Sequence, residues 1–350
     1  MLLSHFPRAL LCHRQTPLEP MENLTRLLGG PRLFVKRDDC TGLGTGGNKA
    51  RKLDFLMGDA LAKGAACVVT QGAVQSNHAR QTAAAAARLG LKCHILLERR
   101  VPDTDASYEE TGNVLLDTLF GAEISFHPPG LDMNALAMEK AEALTAAGQA
   151  AYFIPGGGSN RIGALGYVSC AYEIVAQSEA MGLDIDVVVQ ATGSAGTQAG
   201  LVAGLEGMRS GIDVVGISVR HPEERQVSAV HKLANETAEY IGNSDGIPRD
   251  RVIADDSYVG PGYGQPTDEM VEAIELMARH EGILLDPVYS GKGMAGLIGM
   301  IRGGRFTPDQ NVVFLHTGGA TALFAYGELF DNSGRVSKTS KQQTQMTTGA

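Results

Sequence analysis

The chain has 350 residues, a formal net charge of −9 and 43% hydrophobic residues, enough for one large α/β domain or two smaller ones. The acidic balance, the lack of a basic stripe and the absence of tryptophan argue against a nucleic-acid binder. Five widely spaced cysteines without a CxxC pair fit reduced thiols rather than a disulfide framework or a zinc site. With no long apolar span and a poor signal-peptide pattern at the N-terminus, the expectation is a cytoplasmic protein with no metal and no membrane contact.

Helix-like and strand-like patterns alternate from about residue 50 to 330. The stretch GLGTGGNKARKLDFL (42–56) places Lys49 just past a glycine-rich loop and at the head of a helix. Leu53, Leu56, Met57, Ala60 and Leu61 share one face of that helix, which stops at Gly64. ACVVTQG then reads as a buried strand, and SNHARQTAAAAARLG as a helix with Ser76 at its N-cap and Gly90 beyond its end. KCHILLE, AEISFH, AYFIP, DVVVQAT, IDVVGISV and NVVFLHT read as further strands, each followed by helix-like sequence. Continuous apolar strands separated by helices indicate an α/β protein with parallel sheet covered on both faces. The tail 331–350 is polar and aperiodic, and is expected to be disordered.

In open parallel sheets, ligands gather at the carboxyl ends of strands, and four regions there are rich in glycine and small polar residues. The loop before Lys49 fails the nucleotide P-loop pattern, because Lys49 is followed by Ala50 and no hydroxyl. Its glycines at 42, 44, 46 and 47 also fail the dinucleotide spacing. A lysine at a helix start is disfavoured by the helix dipole, so either an anion lies near it or it is not an ammonium; a solvated surface lysine is the plain alternative. In QGAVQSNHARQ, Ser76, Asn77 and His78 open a helix, where free amides receive a carboxylate or where Ser76 only caps. In DVVVQATGSAGTQAG, residues Gly193, Ser194, Ala195, Gly196 and Thr197 suit a monophosphate, or a tight turn and no more. The last region brings GPGYGQP with Tyr263, LLDPVYSGKG with Tyr289 and Ser290, and FLHTGGA with His316 and Thr317. Each of these side chains also has an ordinary packing role open to it.

Taken together, these pieces resemble the fold-type II pyridoxal-phosphate enzymes (the tryptophan synthase β-like fold). The branch is the one holding D-cysteine desulfhydrase, L-cysteate sulfo-lyase and 1-aminocyclopropane-1-carboxylate deaminase. The resemblance spans roughly residues 5–328. It rests on TPLEPM, KRDDCTG, GGNKARKLDFL, QSNHARQTAA, GNVLLD, PGGGSNRIGALGYV, ATGSAGTQAGL, GPGYGQP, EGILLDPVYSGKGMAGL and FLHTGGATALFAY. It implies two parallel-sheet domains with the cofactor between them. A large cofactor-binding domain would comprise 1–51 and 163–330, with a smaller α/β domain inserted at 52–162. It further implies pyridoxal 5'-phosphate held as a Schiff base by Lys49, Asn48 beside the ring oxygen, Gly193 to Thr197 as the phosphate cup and Thr317 near the pyridine nitrogen. Ser76, Asn77 and His78 would receive the substrate carboxylate, with Ser76, Tyr263 and Tyr289 joining Lys49 in catalysis. Family members act on small amino acids and are usually homodimers.

The implied reaction is β-elimination from a sulfur-bearing three-carbon amino acid, giving pyruvate and ammonia. Ser290 and Thr317 stand where the deaminases carry glutamate and leucine, which puts ring opening of 1-aminocyclopropane-1-carboxylate last among the readings. QGAVQSNHARQTAAAAA and DPVYSGKG look closer to L-cysteate sulfo-lyases, so L-cysteate leads at this stage and D-cysteine is the alternative. A sulfonate needs donors or cations in place of its water, and His78, Arg161 and His316 are the candidates, with Arg161 as readily a surface residue and Arg80 a structural one. A nicotinamide enzyme lacks its glycine fingerprint here, and a non-catalytic binding protein would not need Lys49.

Overall fold

The computed structural model describes residues 3–13, 15–104, 106–243 and 245–330. The tail expected to be disordered, 331–350, lies outside the described residues. In chain order the elements open with β1 (Leu18–Pro20), α1 (Glu22–Leu28), β2 (Arg32–Arg37) and α2 (Lys49–Ala62). They continue with β3 (Cys67–Ala73), α3 (Asn77–Leu89), β4 (Lys92–Glu98), α4 (Gly112–Leu119), β5 (Glu123–His127), α5 (Met133–Ala146) and β6 (Ala151–Ile154). Next come α6 (Arg161–Met181), β7 (Val187–Thr192), α7 (Gly196–Gly207), β8 (Asp213–Ser218), α8 (Glu223–Tyr240) and β9 (Ile253–Asp255). The chain closes with α9 (Asp268–Glu281), α10 (Ser290–Arg302) and β10 (Asn311–His316).

The strands form two sheets. One has the order β5-β4-β3-β6 and is parallel throughout. The other has the order β1-β2-β10-β7-β8-β9 and is parallel except for β1, which runs antiparallel to β2 at the edge. Three strands fall outside the sequence pattern. β1 and β9 have only three residues each, and β2 (RLFVKR) carries charges at both ends. β2 is nonetheless buried: Lys36 hydrogen-bonds Thr16, Glu173 and Gln177, so a cation is accommodated where periodicity expects an apolar side chain.

Both sheets are covered on both faces, as continuous apolar strands require. α6, α7 and α8 form one core against the six-stranded sheet, and α1, α9 and α10 form another on its far face. In the smaller sheet, α2, α3 and α4 pack on one side and α5 on the other. In each sheet the chain reverses direction around one central strand, β3 in one and β7 in the other. Such switch points open crevices at the strands' carboxyl ends.

Helix α2 ties the two sheets together. Its Arg51 donates to Asp38 at 2.8 Å and to Glu173 of α6 at 2.9 Å, and Tyr167 donates to the same Asp38 at 2.6 Å. All four side chains are largely buried, so removing one would strand a charge at a cost of about 3–5 kcal/mol. This network fixes the helix that begins at Lys49.

Candidate active site

The crevices of the two sheets meet in one cleft of about 290 Å³. Asn48, Lys49, Ser76, Asn77, His78, Tyr263, Tyr289 and Thr317 line it, together with Gly193, Ser194, Ala195 and Thr197. Gly196 lies one residue inside this wall, its N–H donating to Ser159 Oγ at 3.2 Å. Arg161 and His316 are not among the lining residues. Arg161 is exposed at the start of α6 and stacks on Tyr240 at 4.6 Å, which is its surface reading. His316 is buried beside the cleft, with Nε2 3.0 Å from Leu284 O and the Gly318 N–H donating to Nδ1.

The loop before Lys49 is held rigid. Thr41 Oγ both donates to Gly47 O and accepts from Gly47 N–H. Arg80, almost wholly buried, donates through one nitrogen to Gly44 O, Thr45 Oγ and Gly46 O. Gly46 has a φ of +79°, and a Cβ there would sit 1.8 Å from Asp39 O, so glycine is required. The Asn48 N–H donates to Thr317 O at 2.9 Å, and its side chain donates to Thr197 Oγ at 3.0 Å. Two loops from the large sheet are thereby pinned to the residue before Lys49.

Lys49 is half-buried, and loss of water around its amine pulls its pKa from 10.5 to about 8. Its hydrogen-bond neighbour is Lys52, one helical turn on, which burial and the Lys49 charge push well below the ordinary lysine value. Lys52 Nζ donates to Gly157 O at 3.0 Å and to Ser159 Oγ at 3.3 Å. Ser159 in turn donates to Ser194 Oγ at 2.9 Å. Lys52 went unread in the sequence, although its spacing of three from Lys49 carries the signal.

Ser76 caps α3, its Oγ accepting from the Ala79 N–H at 3.1 Å. That leaves its own O–H free to donate into the cleft. His78 sits 2.8 Å from Thr70 Oγ, while its Nδ1 is buried without a partner. Burial first, then the charges of Lys49 and Lys52, push its pKa well below 6.5, so it is neutral. The hydroxyls of Tyr263 and Tyr289 are 2.7 Å apart, and burial raises both pKa values. Tyr289 is held by Asp286, which is fully buried and accepts the N–H groups of Val288, Tyr289 and Ser290. Ser290 differs from its sequence picture: its hydroxyl donates to Asp286 at 2.7 Å, leaving Thr317 as the cleft-lining member of the pair.

The residues fit a phosphorylated pyridine aldehyde. α7 starts without a side-chain cap from Ala195; its first N–H, on Gly196, is taken by Ser159, and the amides that follow are open to an anion. Ala195 holds a left-handed φ of 69°, a strain of about 1–3 kcal/mol that turns the chain around the cup. A Cβ on Gly196 would lie 2.7 Å from Ser159 Oγ and 2.9 Å from Lys52 Nζ, filling the cradle.

Comparison with known proteins decides the family. The family model described as pyridoxal-phosphate dependent enzyme matches residues 9–318. The chain belongs to that family. It is a pyridoxal-phosphate enzyme, and the cup and Lys49 are where its residues fit the cofactor. It is 47% identical over 324 residues to a D-cysteine desulfhydrase of Yersinia enterocolitica, covering 93% of this chain and 97% of the relative. It is 45% identical over 324 residues to that of Serratia proteamaculans, with the same coverage. Among solved structures it is similar to a protein described as an ACC deaminase homologue, at 41% identity and a TM-score of 0.85, covering 94% of this chain and 97% of that one. It shares its fold with a threonine deaminase of Solanum lycopersicum, at 16% identity and a TM-score of 0.64, covering 92% of this chain and 89% of that one. These similarities carry the fold-type II expectation. The relatives are named for D-cysteine, which shifts the balance away from L-cysteate. Among the described residues no helix is long and apolar enough to cross a membrane, and no group of three metal-ligating side chains occurs.

Proposed function

We propose that this enzyme carries out β-elimination on a sulfur-bearing three-carbon amino acid, with D-cysteine the leading substrate. D-Cysteine and one water give pyruvate, hydrogen sulfide and ammonium. The observation that carries the reading is the sharing of one acid-free cleft by a desolvated Lys49 and the hydroxyl pair of Tyr263 and Tyr289. The 45–47% identity to D-cysteine desulfhydrases supports the choice of substrate.

Lys49 would hold the cofactor, with Ser194, Thr197, the α7 N-terminus and Lys52 around its phosphate and Thr317 near the pyridine nitrogen. When bound, pyridoxal phosphate supplies an electron sink for the pair left at Cα. The protein does the rest. The free O–H of Ser76 and the amide of Asn77 orient the substrate carboxylate at the start of α3. Lys49 Nζ, its pKa lowered by burial to about 8 so that a far larger fraction is neutral than for a solvated lysine, takes the α-proton. The Tyr263–Tyr289 pair shares one hydroxyl proton across 2.7 Å and delivers it to the departing sulfur. Burial keeps both tyrosines protonated, which suits a donor. Neutral His78 helps close the carboxylate loop without a competing charge. Two copies would associate as in other members of the branch.

A second reading, L-cysteate, is favoured by Arg100 and Arg220, which line the same cleft. The test is turnover of D-cysteine, L-cysteine, L-cysteate and 1-aminocyclopropane-1-carboxylate by the purified holoenzyme. Pyruvate is followed in all four, with sulfide and sulfite as distinguishing products. Sulfide from D-cysteine supports the leading reading; sulfite alone moves the assignment to L-cysteate. No pyruvate from any substrate refutes β-elimination of a sulfur group.

A further inference from the structure

Two arginines line the cleft that neither the phosphate cup nor the carboxylate loop uses. The chain carries 39 acidic residues, yet no Asp or Glu is among the residues lining the cleft. Its cations are Lys49, Arg100 and Arg220. Lys52 and the α7 N-terminus serve the phosphate, and Ser76 and Asn77 serve the carboxylate. Arg100 and Arg220 are left over.

They come from different sheets. Arg100 follows β4, and Arg220 with His221 follows β8. Arg100 is fixed: its Nε donates to buried Glu98, its other arm reaches Gln71 at 3.3 Å, and its guanidinium lies 5.8 Å from the centre of the Tyr263 ring. Arg220 is different. Among the described residues it has no hydrogen bond and no ion pair. This guanidinium, exposed at the mouth of an acid-free cleft beside the tyrosine pair, is open to an anionic ligand.

We propose that Arg220, backed by Arg100, forms a third anion subsite that receives a tetrahedral oxyanion leaving group on Cβ of the substrate, a sulfonate foremost. This deepens the β-elimination reading and rests on it. The cations suggested by sequence do not compete for the role: Arg161 stacks on Tyr240, His316 is bonded behind the cleft, and His78 is neutral against Thr70. A carboxylate on Cβ cannot leave by this route, whereas a sulfonate can. In that step the α-proton passes to Lys49, the C–S bond breaks, and its electron pair departs with sulfur as sulfite. The three-carbon enamine takes up a proton and one water. L-Cysteate and water thus yield pyruvate, ammonium and bisulfite, with atoms and charge balanced and no outside oxidant. O-Phosphoserine and serine O-sulfate present the same oxyanion geometry with phosphate or sulfate as leaving group.

The test combines binding and turnover on the holoenzyme. 3-Sulfopropanoate, which has the sulfonate but no amine to react, is titrated calorimetrically into wild type, Arg220→Gln and Arg220→Lys. Turnover of L-cysteate, O-phosphoserine, serine O-sulfate and D-cysteine is measured on the same three proteins. The subsite predicts that Arg220→Gln weakens 3-sulfopropanoate at least tenfold. It also lowers the L-cysteate to D-cysteine ratio of kcat/KM about thirtyfold, mainly through KM. Arg220→Lys recovers part of both. Activity on the phosphate or sulfate ester that falls in parallel extends the class beyond sulfonates. Equal 3-sulfopropanoate binding by wild type and Arg220→Gln, or no binding at all, overturns the subsite even if D-cysteine is turned over. Arg220-dependent binding with no pyruvate from any substrate keeps the subsite and refutes the elimination reading instead.

Discussion

Two strand-to-helix turns face the cleft from opposite sheets, and they treat their helix starts differently. After β3, Ser76 caps α3 by accepting the Ala79 N–H. After β7, the residue before α7 is Ala195, which has no cap to offer and holds a left-handed φ. A capped start has spent part of its donor capacity on itself and is left with side-chain donors. At α7 only the first N–H, on Gly196, is taken, by Ser159 Oγ, and the next amides and the dipole stay available to an external anion. The contrast supports the proposed placing of the dianionic cofactor phosphate at α7 and the smaller substrate carboxylate at α3.

Changes at the two turns should therefore fail in different ways, with Lys49 between them as the common requirement. On the proposed roles Lys49→Ala would remove both the attachment point and the base, and turnover should fall by about 10⁴-fold or more. Steady-state pyruvate release checks this, and wild-type activity in that variant would break the whole scheme. Gly196→Ala places a Cβ against Ser159 and Lys52. It should weaken pyridoxal phosphate by roughly tenfold or more while the substrate KM at saturating cofactor moves little. Equilibrium titration of the apoprotein followed by cofactor absorbance reads it; a change in KM alone would blur the comparison.

The depressed pKa of Lys49 gives a third handle. Only the neutral amine reacts with an aldehyde, so cofactor uptake by the apoprotein should rise with pH and level off above the Lys49 pKa of about 8. Between pH 7 and 8 the neutral fraction grows about fivefold, from roughly a tenth to a half. Stopped-flow uptake that keeps climbing to pH 10, as for an ordinary lysine, would contradict a desolvated Lys49. The smallest effect belongs to the capped turn. Ser76→Ala should lower stability by about 1 kcal/mol through loss of the cap and raise the substrate KM, while cofactor affinity holds. Thermal unfolding with parallel cofactor titration distinguishes the two.

The same contrast explains what the sequence made legible. α3, β3 and β7 are long and strongly patterned, and Ser76 and Gly90 mark the ends of α3 as its capping chemistry requires. The three strands outside the pattern are short or charged, and β2 is buried only because Lys36 finds Thr16, Glu173 and Gln177 at a distance in sequence. The residues expected at the site share one cleft, with Gly196 just behind its wall, because most lie at the carboxyl end of a strand or at the start of a helix; Tyr263 reaches it from the loop between β9 and α9. The missed residues depend on three-dimensional company. Lys52 reads as one more helix cation until Ser159 arrives beneath it. Arg100 and Arg220 are 120 positions apart, on loops from separate sheets, and neither sits in a motif. Ser290 is the reverse case, a motif position whose hydroxyl turns away to Asp286. Sequence spacing names candidates; only tertiary packing decides which way a side chain faces.

On the proposed mechanism Lys49, and not its buried neighbour Lys52, is the residue joined to the cofactor. The most direct measurement is borohydride reduction of the yellow holoenzyme, followed by digestion and mass mapping of the pyridoxyl-lysine. The label should fall on Lys49 alone, with Lys52 unmodified. A label on Lys52, or on any lysine outside the cleft, would contradict it.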